Sequence, residues 1–178
     1  MKGVRMIYRA KLPLLRVSTS PIILRDEMGN DVGEMRRYYS TKKQRFLNFI
    51  FDNIINNVHV FDQEGNLYAD IQEINTLKTL IREKWNVRLR EESFVCETRT
   101  KIRTHPQFYY EKRNAKVWIK RDFADSVTRF FVDQNVVARV NIEGFLPPKS
   151  CHLTFEILDP RFDIYEVASL YYLLNLKY

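Results

Sequence analysis

The last part of the chain is the feature that most constrains its fold. From Ile164 to Leu176 the sequence is apolar on every side of a helix rather than along one stripe. A helix that is apolar all round has to be buried, either in a bilayer or inside a protein. Asp163, with Glu166 three positions later and Pro160 upstream, has the pattern of a capping box and predicts where this helix begins.

Length decides between the two environments. A helix from Asp163 to Tyr178 would be roughly 24 Å long at about 1.5 Å per residue. The hydrocarbon core of a bilayer is about 30 Å thick and takes roughly 20 helical residues. Ser169 and Asn175 also interrupt the apolar run. We therefore expect this helix to be buried inside the protein itself.

The rest of the chain repeats one pattern three times: an alternating strand, a short turn that begins with Asp, and a second strand. The copies are Ile22–Met35, Val58–Ile71 and Arg129–Val140. In the first two the turn reads D-x-x-G-N, in which Asp can cap a type I turn and Gly can adopt the positive φ of a bulge position. The third copy is shorter and has Asn135 where we expect a left-handed residue. Three hairpins of one design predict an antiparallel meander or barrel.

Further strands and one further helix complete the predicted elements. Alternation of apolar and polar residues predicts four more strands with one buried face. These segments are Trp85–Arg90, Phe94–Arg99, Lys116–Lys120 and His152–Ile157. Apolar residues at three- and four-residue spacing predict a helix over Thr41–Ile55, with Ser40 as its cap.

Composition favours one folded domain over residues 1–178. The chain has 178 residues with only 5 Gly and 6 Pro, which is unlike a protein with long flexible linkers. Arg9 and Lys11 break the apolar stretches near the start, so no signal peptide is expected. The two cysteines, Cys96 and Cys151, do not form a disulfide framework. We expect a cytoplasmic protein with reduced thiols.

These elements resemble, in their order, the tubby C-terminal-like superfamily, which includes tubby, the LURP-one-related proteins and the phospholipid scramblases. The similar segments are the turn Asp62–Asn66 leading to Ile71, the hairpin Phe130–Val140, and Leu158–Leu174. The resemblance implies a mainly β fold, in which an antiparallel barrel of about twelve strands encloses the hydrophobic C-terminal helix. It also implies binding of phosphoinositide or other anionic headgroups through basic residues. The chain lacks the Pro-rich N-terminal region, cysteine cluster and acidic calcium loop of scramblases, so lipid scrambling is not expected.

Two basic groups are candidates for binding an anionic surface, in a chain whose net charge is +7. In the first, Arg99, Lys101 and Arg103 alternate, so on a strand all three would project from one face despite their mutual repulsion. Lys116 and Lys120 follow in the same group. Trp118 shares their face, and basic residues beside aromatic ones suit a lipid interface or single-stranded nucleic acid. The alternative is an outward sheet face that is basic only for solubility.

The second group surrounds the start of the predicted Thr41–Ile55 helix. Its members are Arg36, Arg37, Lys42, Lys43 and Arg45. A helix N-terminus offers free backbone N–H groups and a positive dipole, so a phosphate can bind beside such side chains. Arg36, Lys42 and Lys43 are therefore a second candidate patch, and a solvated strand end is the alternative.

No sequence pattern predicts catalysis. His59, His105 and His152 are far apart and lie in no metal-binding motif. Cys151 and His152 are neighbours, and neighbours on a strand point to opposite faces. We therefore predict no catalytic residue, no metal and no cofactor. The leading hypothesis is a non-enzymatic cytoplasmic module that binds anionic membrane lipid, peripheral at the inner membrane face; a protein-interaction domain is the alternative, and nucleic-acid binding comes third.

Overall fold

The computed structural model describes residues 5–13, 18–42, 44, 46, 56–74, 82–102, 104–122, 125–143 and 152–178. Within them lie twelve strands and one long helix. The elements are β1 Met6–Lys11, β2 Ile22–Asp26, β3 Asp31–Tyr38, β4 Asn57–Asp62, β5 Leu67–Glu73, β6 Lys84–Leu89, β7 Ser93–Thr98, β8 Gln107–Lys112, β9 Ala115–Arg121, β10 Val127–Val132, β11 Asn135–Glu143, β12 His152–Ile157 and α1 Ile164–Lys177.

The twelve strands form a closed antiparallel barrel. Each strand pairs with the next one along the chain, and β1 pairs with β12, with Met6 opposite Ile157, to close the circle. Inward-facing residues such as Val117 and Ile119 on β9 are fully buried, whereas their neighbours are not. This alternation is the one that the sequence predicts, and the expected fold class is confirmed.

Helix α1 fills the barrel. Its 14 residues begin after Asp163, whose carboxylate accepts the N–H of Glu166 at 2.8 Å, and end at Lys177, with Tyr178 as the C-terminal cap. The helix is buried on all sides, as its all-round apolarity predicts. Hydroxyl groups fix it to the barrel near both ends: Tyr165 donates to the Val32 carbonyl at 2.8 Å, and Tyr178, just after the helix, lies 2.9 Å from the Thr98 hydroxyl.

The two ends of the barrel are built differently. At one end, here called the turn end, α1 begins and the strand connections are short, at 27–30, 63–66, 90–92, 113–114 and 133–134. At the other end, called the loop end, α1 finishes and the connections are 12–21, 39–56, 74–83, 99–106, 122–126 and 144–151. Most of the residues outside the described ranges belong to these loop-end connections.

The two D-x-x-G-N turns have the predicted geometry. In the second one, the Asp62 carboxylate accepts the N–H groups of Glu64 and Asn66, each at 2.9 Å. Gly65 has a φ of 81°, and the β4–β5 pairing beside the turn has a register shift between Val60 and Phe61. The carboxylate of Asp26 makes the same contacts in the first copy, where Gly29 has a φ of 87°. The sequence prediction is confirmed for both copies.

The third copy differs from the prediction. Its turn has only two residues, Asp133 and Gln134, with φ of 48° and 70°, so the positive φ expected at Asn135 is wrong. A two-residue hairpin turn of this kind needs positive φ at both central positions, which leaves Asn135 free to begin β11. Arg113 and Asn114 form another such turn, with φ of 48° and 64°.

Two further predictions need correction: the strand that continues through Arg103, and the cap at Ser40. Strand β7 ends at Thr98, so Arg99 and Lys101 lie in the connection to β8 rather than on a strand; Arg103 lies outside the described residues. The predicted Thr41–Ile55 helix also falls largely outside them, although Lys42, Gln44 and Phe46 are helical. The hydroxyl that accepts the Gln44 N–H is that of Thr41, at 3.2 Å, and not that of Ser40.

Candidate anion-binding surface

An aromatic row crosses the outside of the barrel at β8, β9 and β10. Tyr109 and Phe131 are the cross-strand partners of Trp118 on its two sides, and the Tyr109 and Trp118 ring centroids are 4.9 Å apart. The ammonium of Lys120 lies 5.0 Å from the Trp118 ring and 5.7 Å from the Phe131 ring. Lys116 and Lys120 therefore flank Trp118 on one face, as predicted. They line an open pocket of about 340 Å³ beside it.

A row of three basic side chains lies next to the aromatic row, toward the loop end. Arg129 on β10 is opposite Lys120 on one side and opposite Arg139 of β11 on the other. Arg129 forms an ion pair with Asp125 at 2.6 Å. Within the described residues, Lys120 and Arg139 have no ion pair, although Arg139 lies opposite Glu156 of β12, which is paired with Arg5. We call Lys120, Arg129 and Arg139 the basic row; sequence reasoning had singled out only its first member.

Charges near the other predicted residues are partly compensated. Arg99 forms an ion pair with Glu97 and lies 5.3 Å above the Tyr109 ring. Lys116 lies opposite Glu111 on β8. The hydroxyl of Tyr109 donates to this Glu111 carboxylate, and that hydrogen bond raises the pKa of Tyr109 to about 12. The face is therefore nearly neutral around Lys116 and positive around the basic row.

Other predicted residues lie elsewhere on the barrel. Lys101 and Lys42 are exposed in two different loop-end connections. Arg36 on β3 lies halfway round the barrel from β9, where its guanidinium sits 4.6 Å above the Phe61 ring and 3.9 Å from the Glu34 carboxylate. Lys43 is outside the described residues. Arg36 is thus on the opposite side of the barrel wall from Lys116 and Lys120, whereas Lys42 and Lys101 both lie at the loop end.

Arg37 of the second group points inward. Only 1% of its surface is exposed, and its guanidinium donates to the Asn56 side chain at 3.1 Å. The period-two alternation of β3 explains this, because it places Arg37 on the same face as Gly33 and Met35, which are buried. Arg37 therefore cannot belong to an exposed phosphate site.

A polar cluster lies beside Arg36 on the outside of β3 to β6. The carboxylate of Asp70 accepts bonds from Tyr38 and Arg88, both at 2.6 Å, and lies 3.3 Å from the His59 ring nitrogen. The His59 ring stacks on Tyr38 at 3.5 Å, and burial is the main cause that lowers its pKa. All of these donors converge on one carboxylate, so the cluster is suited to joining strands rather than to proton transfer with a substrate.

A buried ionic cluster joins α1 to the barrel wall at the turn end. Glu166 is 0% exposed; it accepts the Tyr110 hydroxyl at 2.8 Å and forms an ion pair with Lys112. Lys112 also lies 2.9 Å from Glu92. Only the Asp163 half of the predicted capping box is therefore present, because the Glu166 carboxylate turns into the interior. Alternation along β8 puts Lys112 on the face of the buried Tyr110, a signal that sequence reasoning missed.

The described residues show no metal centre and no membrane-spanning helix. They contain no group of three or more His, Cys, Asp or Glu side chains that could hold a metal ion. None of the helical segments in the described ranges has both the length and the apolarity needed to cross a bilayer. Of the two cysteines, Cys96 is a buried free thiol, and burial raises its pKa strongly; Cys151 is outside the described residues.

Fold and surface together define a class of protein: a β-barrel whose core is its own C-terminal helix and whose charged groups lie mainly outside. The family model described as Tubby C-terminal like domain matches residues 8–178. The chain belongs to this family, which binds lipids or proteins and is not a class of enzymes. The resemblance seen in the sequence is confirmed. Comparisons with curated proteins and with solved structures give no match.

Proposed function

We propose that the protein is a single-domain, non-enzymatic cytoplasmic module that binds anionic lipid headgroups at the inner face of a membrane. The basic row carries this proposal. Like charges directly opposite one another destabilise a sheet. Arg129 pairs with Asp125, and Arg139 lies opposite Glu156 of β12, which is itself paired with Arg5, whereas Lys120 has no ion pair within the described residues. A lipid phosphate bound over Lys120 and Arg139 would relieve that repulsion.

The neighbouring aromatic row supports a lipid interface. Trp118 and Tyr109 are half-buried on the outside of the barrel, and such amphipathic rings favour headgroup depth. Lys120 lies over Trp118 and Tyr109 packs beside it. These contacts occupy ring surface that single-stranded nucleic acid would need for stacking, so the lipid proposal is favoured over the nucleic-acid one.

The predicted site residues contribute unequally in this proposal. Lys120 and Lys101 have no acidic partner within the described residues, so they would contribute most. Arg99 is neutralised by Glu97, and Lys116 faces Glu111, so each would contribute less. In the proposal Arg36 lies on the opposite side of the barrel wall and contributes separately, and Lys42 lies at the loop end with Lys101. Arg103 and Lys43 remain sequence predictions.

Vesicle sedimentation tests the proposal. The protein should sediment with phosphatidylcholine vesicles that contain phosphatidylserine or a phosphoinositide, more at low salt than at high salt, and not with phosphatidylcholine alone. Each basic side chain at an anionic surface is worth about 1 kcal/mol, so the double variant Lys120→Ala/Arg139→Ala should bind roughly thirtyfold more weakly.

A control variant keeps the change of net charge constant. Arg90→Ala/Arg113→Ala removes two exposed arginines at the turn end and should bind like the wild type. Equal binding to neutral vesicles, or equal loss in both double variants, would contradict a site at the basic row. Absence of binding to every vesicle would remove the lipid proposal altogether.

A protein-interaction domain is the second candidate. The observation that favours it is the exposure of Met28 and Leu67 at the turn end, away from the basic row. If Met28→Asp abolishes a stable self-association seen by light scattering while the wild type ignores anionic vesicles, this candidate replaces the first.

A further inference from the structure

Exposed apolar side chains at the loop end lie beside exposed basic ones. Ile102 is 61% exposed and follows Lys101 in the β7–β8 connection. Phe46 is 63% exposed and lies one helical turn from the exposed Lys42 in the β3–β4 connection. Arg82, in the β5–β6 connection between them, is also exposed. Three successive loop-end connections therefore each present a cation, and two of them add a large apolar side chain.

At the turn end, exposed apolar side chains lie beside acidic residues instead of basic ones. It too has exposed apolar side chains, Met28 at 89% and Leu67 at 47%. The charged residues around its connections, however, are mostly acidic. The acids are Glu27, Glu64, Glu91, Glu92, Asp133, Asp159 and Asp163, against Arg90, Arg113 and Arg161. An anionic surface would repel this end.

Insertion of an apolar side chain into an anionic membrane needs both features at one place. Burial of the side chain at the headgroup boundary stabilises the bound state, and neighbouring Lys or Arg residues hold the lipid phosphates. Exposure alone does not distinguish the two ends of the barrel, because both expose apolar residues. The sign of the charge beside the apolar residues does, since the described acids of the loop-end connections are Glu83, paired with Lys177, Asp125, paired with Arg129, and Asp122.

We infer that the loop end faces the membrane, with Ile102 and Phe46 inserted between headgroups and Lys101, Lys42 and Arg82 at the phosphates. This inference rests on the proposed lipid binding and adds its orientation and depth. The basic row fits this orientation, because Lys120 and Arg129 lie in the loop-end halves of β9 and β10. The turn end, with the start of α1, points away from the bilayer.

Matched aspartate variants at the two ends test the orientation. Ile102→Asp and Phe46→Asp place a charge where the inference puts the acyl boundary, whereas Met28→Asp and Leu67→Asp make the same kind of change at the turn end. Each loop-end variant should bind phosphatidylserine-containing vesicles about tenfold more weakly. The turn-end variants should bind like the wild type. Ile102→Ser, which adds no charge, should lie between Ile102→Asp and the wild type.

The outcomes separate failure of the inference from failure of the proposed function. If the wild type binds anionic vesicles and all four aspartate variants bind equally well, the orientation is wrong while lipid binding stands. Equal weakening at both ends also overturns the orientation, since it reports net charge. If the wild type binds no vesicle, both proposals fail. If soluble inositol phosphate binds as tightly as vesicles and Ile102→Asp leaves both unchanged, the ligand is a free phosphate and no insertion occurs.

Discussion

The two ends of the barrel share the same strands and the same helix, but they differ in the length of their connections and in the side chains that they expose. The turn end uses short, hydrogen-bonded connections and a buried ionic cluster that holds the start of α1 against β8. The loop end uses long connections that expose cations beside apolar side chains. We infer from this difference that stability is concentrated at the turn end, and that binding belongs to the loop end and the adjoining basic row.

The largest expected effect is removal of Lys112 from the turn end. Lys112→Ala leaves the fully buried Glu166 without its cation, and breaking a buried ion pair in this way costs about 3–5 kcal/mol. Urea unfolding at pH 8, where Glu166 is ionised in the wild type, should show this loss of free energy of unfolding. Lys116→Ala, on the outer face of the next strand, is the matched control and should change stability by less than about 0.5 kcal/mol. Equal effects of the two variants would contradict the structural role of the buried cluster.

A pH dependence should distinguish Glu166 from exposed carboxylates. Burial raises the pKa of Glu166 to about 7, against the opposing effects of Lys112 and Tyr110. The folded state therefore holds this proton more tightly than the unfolded state, so its stabilising contribution is present below about pH 4.5 and is lost as pH rises through 7. The loss should be about 3 kcal/mol.

The variant Glu166→Gln isolates that contribution, because Gln cannot ionise. Burial also raises the pKa of Glu73 to about 7, and the lowered pKa of His59 acts in the opposite direction. The measurement is therefore the difference in unfolding free energy between wild type and variant at several pH values. Between pH 5 and 8 the unfolding free energy of Glu166→Gln should rise relative to that of the wild type. Glu64→Gln, at the exposed turn, should show no such trend. Parallel curves for wild type and Glu166→Gln would contradict the raised pKa.

Two glycines near the turn end should respond differently to the same change. A Cβ at Gly33 would lie 2.4 Å from the Phe61 carbonyl oxygen and 2.9 Å from the Tyr165 ring of α1, so Gly33→Ala should cost about 3 kcal/mol. A Cβ at Gly65 meets nothing within 4 Å, and only its φ of 81° opposes Ala. Gly65→Ala should cost about 1 kcal/mol. Thermal unfolding checks the order; a larger cost at Gly65 would mean that turn conformation, not helix packing, limits stability.

The smallest expected effect on stability is at the loop end. Lys101→Ala and Ile102→Asp alter exposed residues and should change the free energy of unfolding by less than about 0.5 kcal/mol. The same variants should weaken vesicle binding. A large loss of stability in either one would erase the proposed contrast between the two ends.

Sequence patterns predicted the barrel and its central helix because both depend on periodicity. All-round apolarity over Ile164–Leu176 requires burial. The turn is predictable from its residue types, because Asp62 can accept backbone N–H groups and Gly65 can adopt a positive φ. The basic row escaped prediction because it depends on register. A shift between Phe130 and Phe131 places Arg129 opposite Arg139, and the residue types of the two strands do not specify that shift.

Two other predictions from the sequence were wrong because they rested on local patterns. The alternation of Arg99, Lys101 and Arg103 looked like a strand, but β7 stops at Thr98, and the chain bends back through the bond from the Arg99 N–H to the Gln107 carbonyl at 2.7 Å. Glu166 looked like a capping residue because its spacing from Asp163 is right. Its carboxylate instead meets Lys112, which is distant in sequence, and local pattern cannot report such a contact.

Hydrogen–deuterium exchange in the presence and absence of anionic vesicles tests the contrast between the two ends most directly. Vesicles containing phosphatidylserine should slow exchange in the loop-end segments 40–46 and 99–106, and leave the turn-end segments 27–30 and 63–66 unchanged. Protection confined to the turn end, or spread evenly over both ends, would contradict the assignment of binding to the loop end.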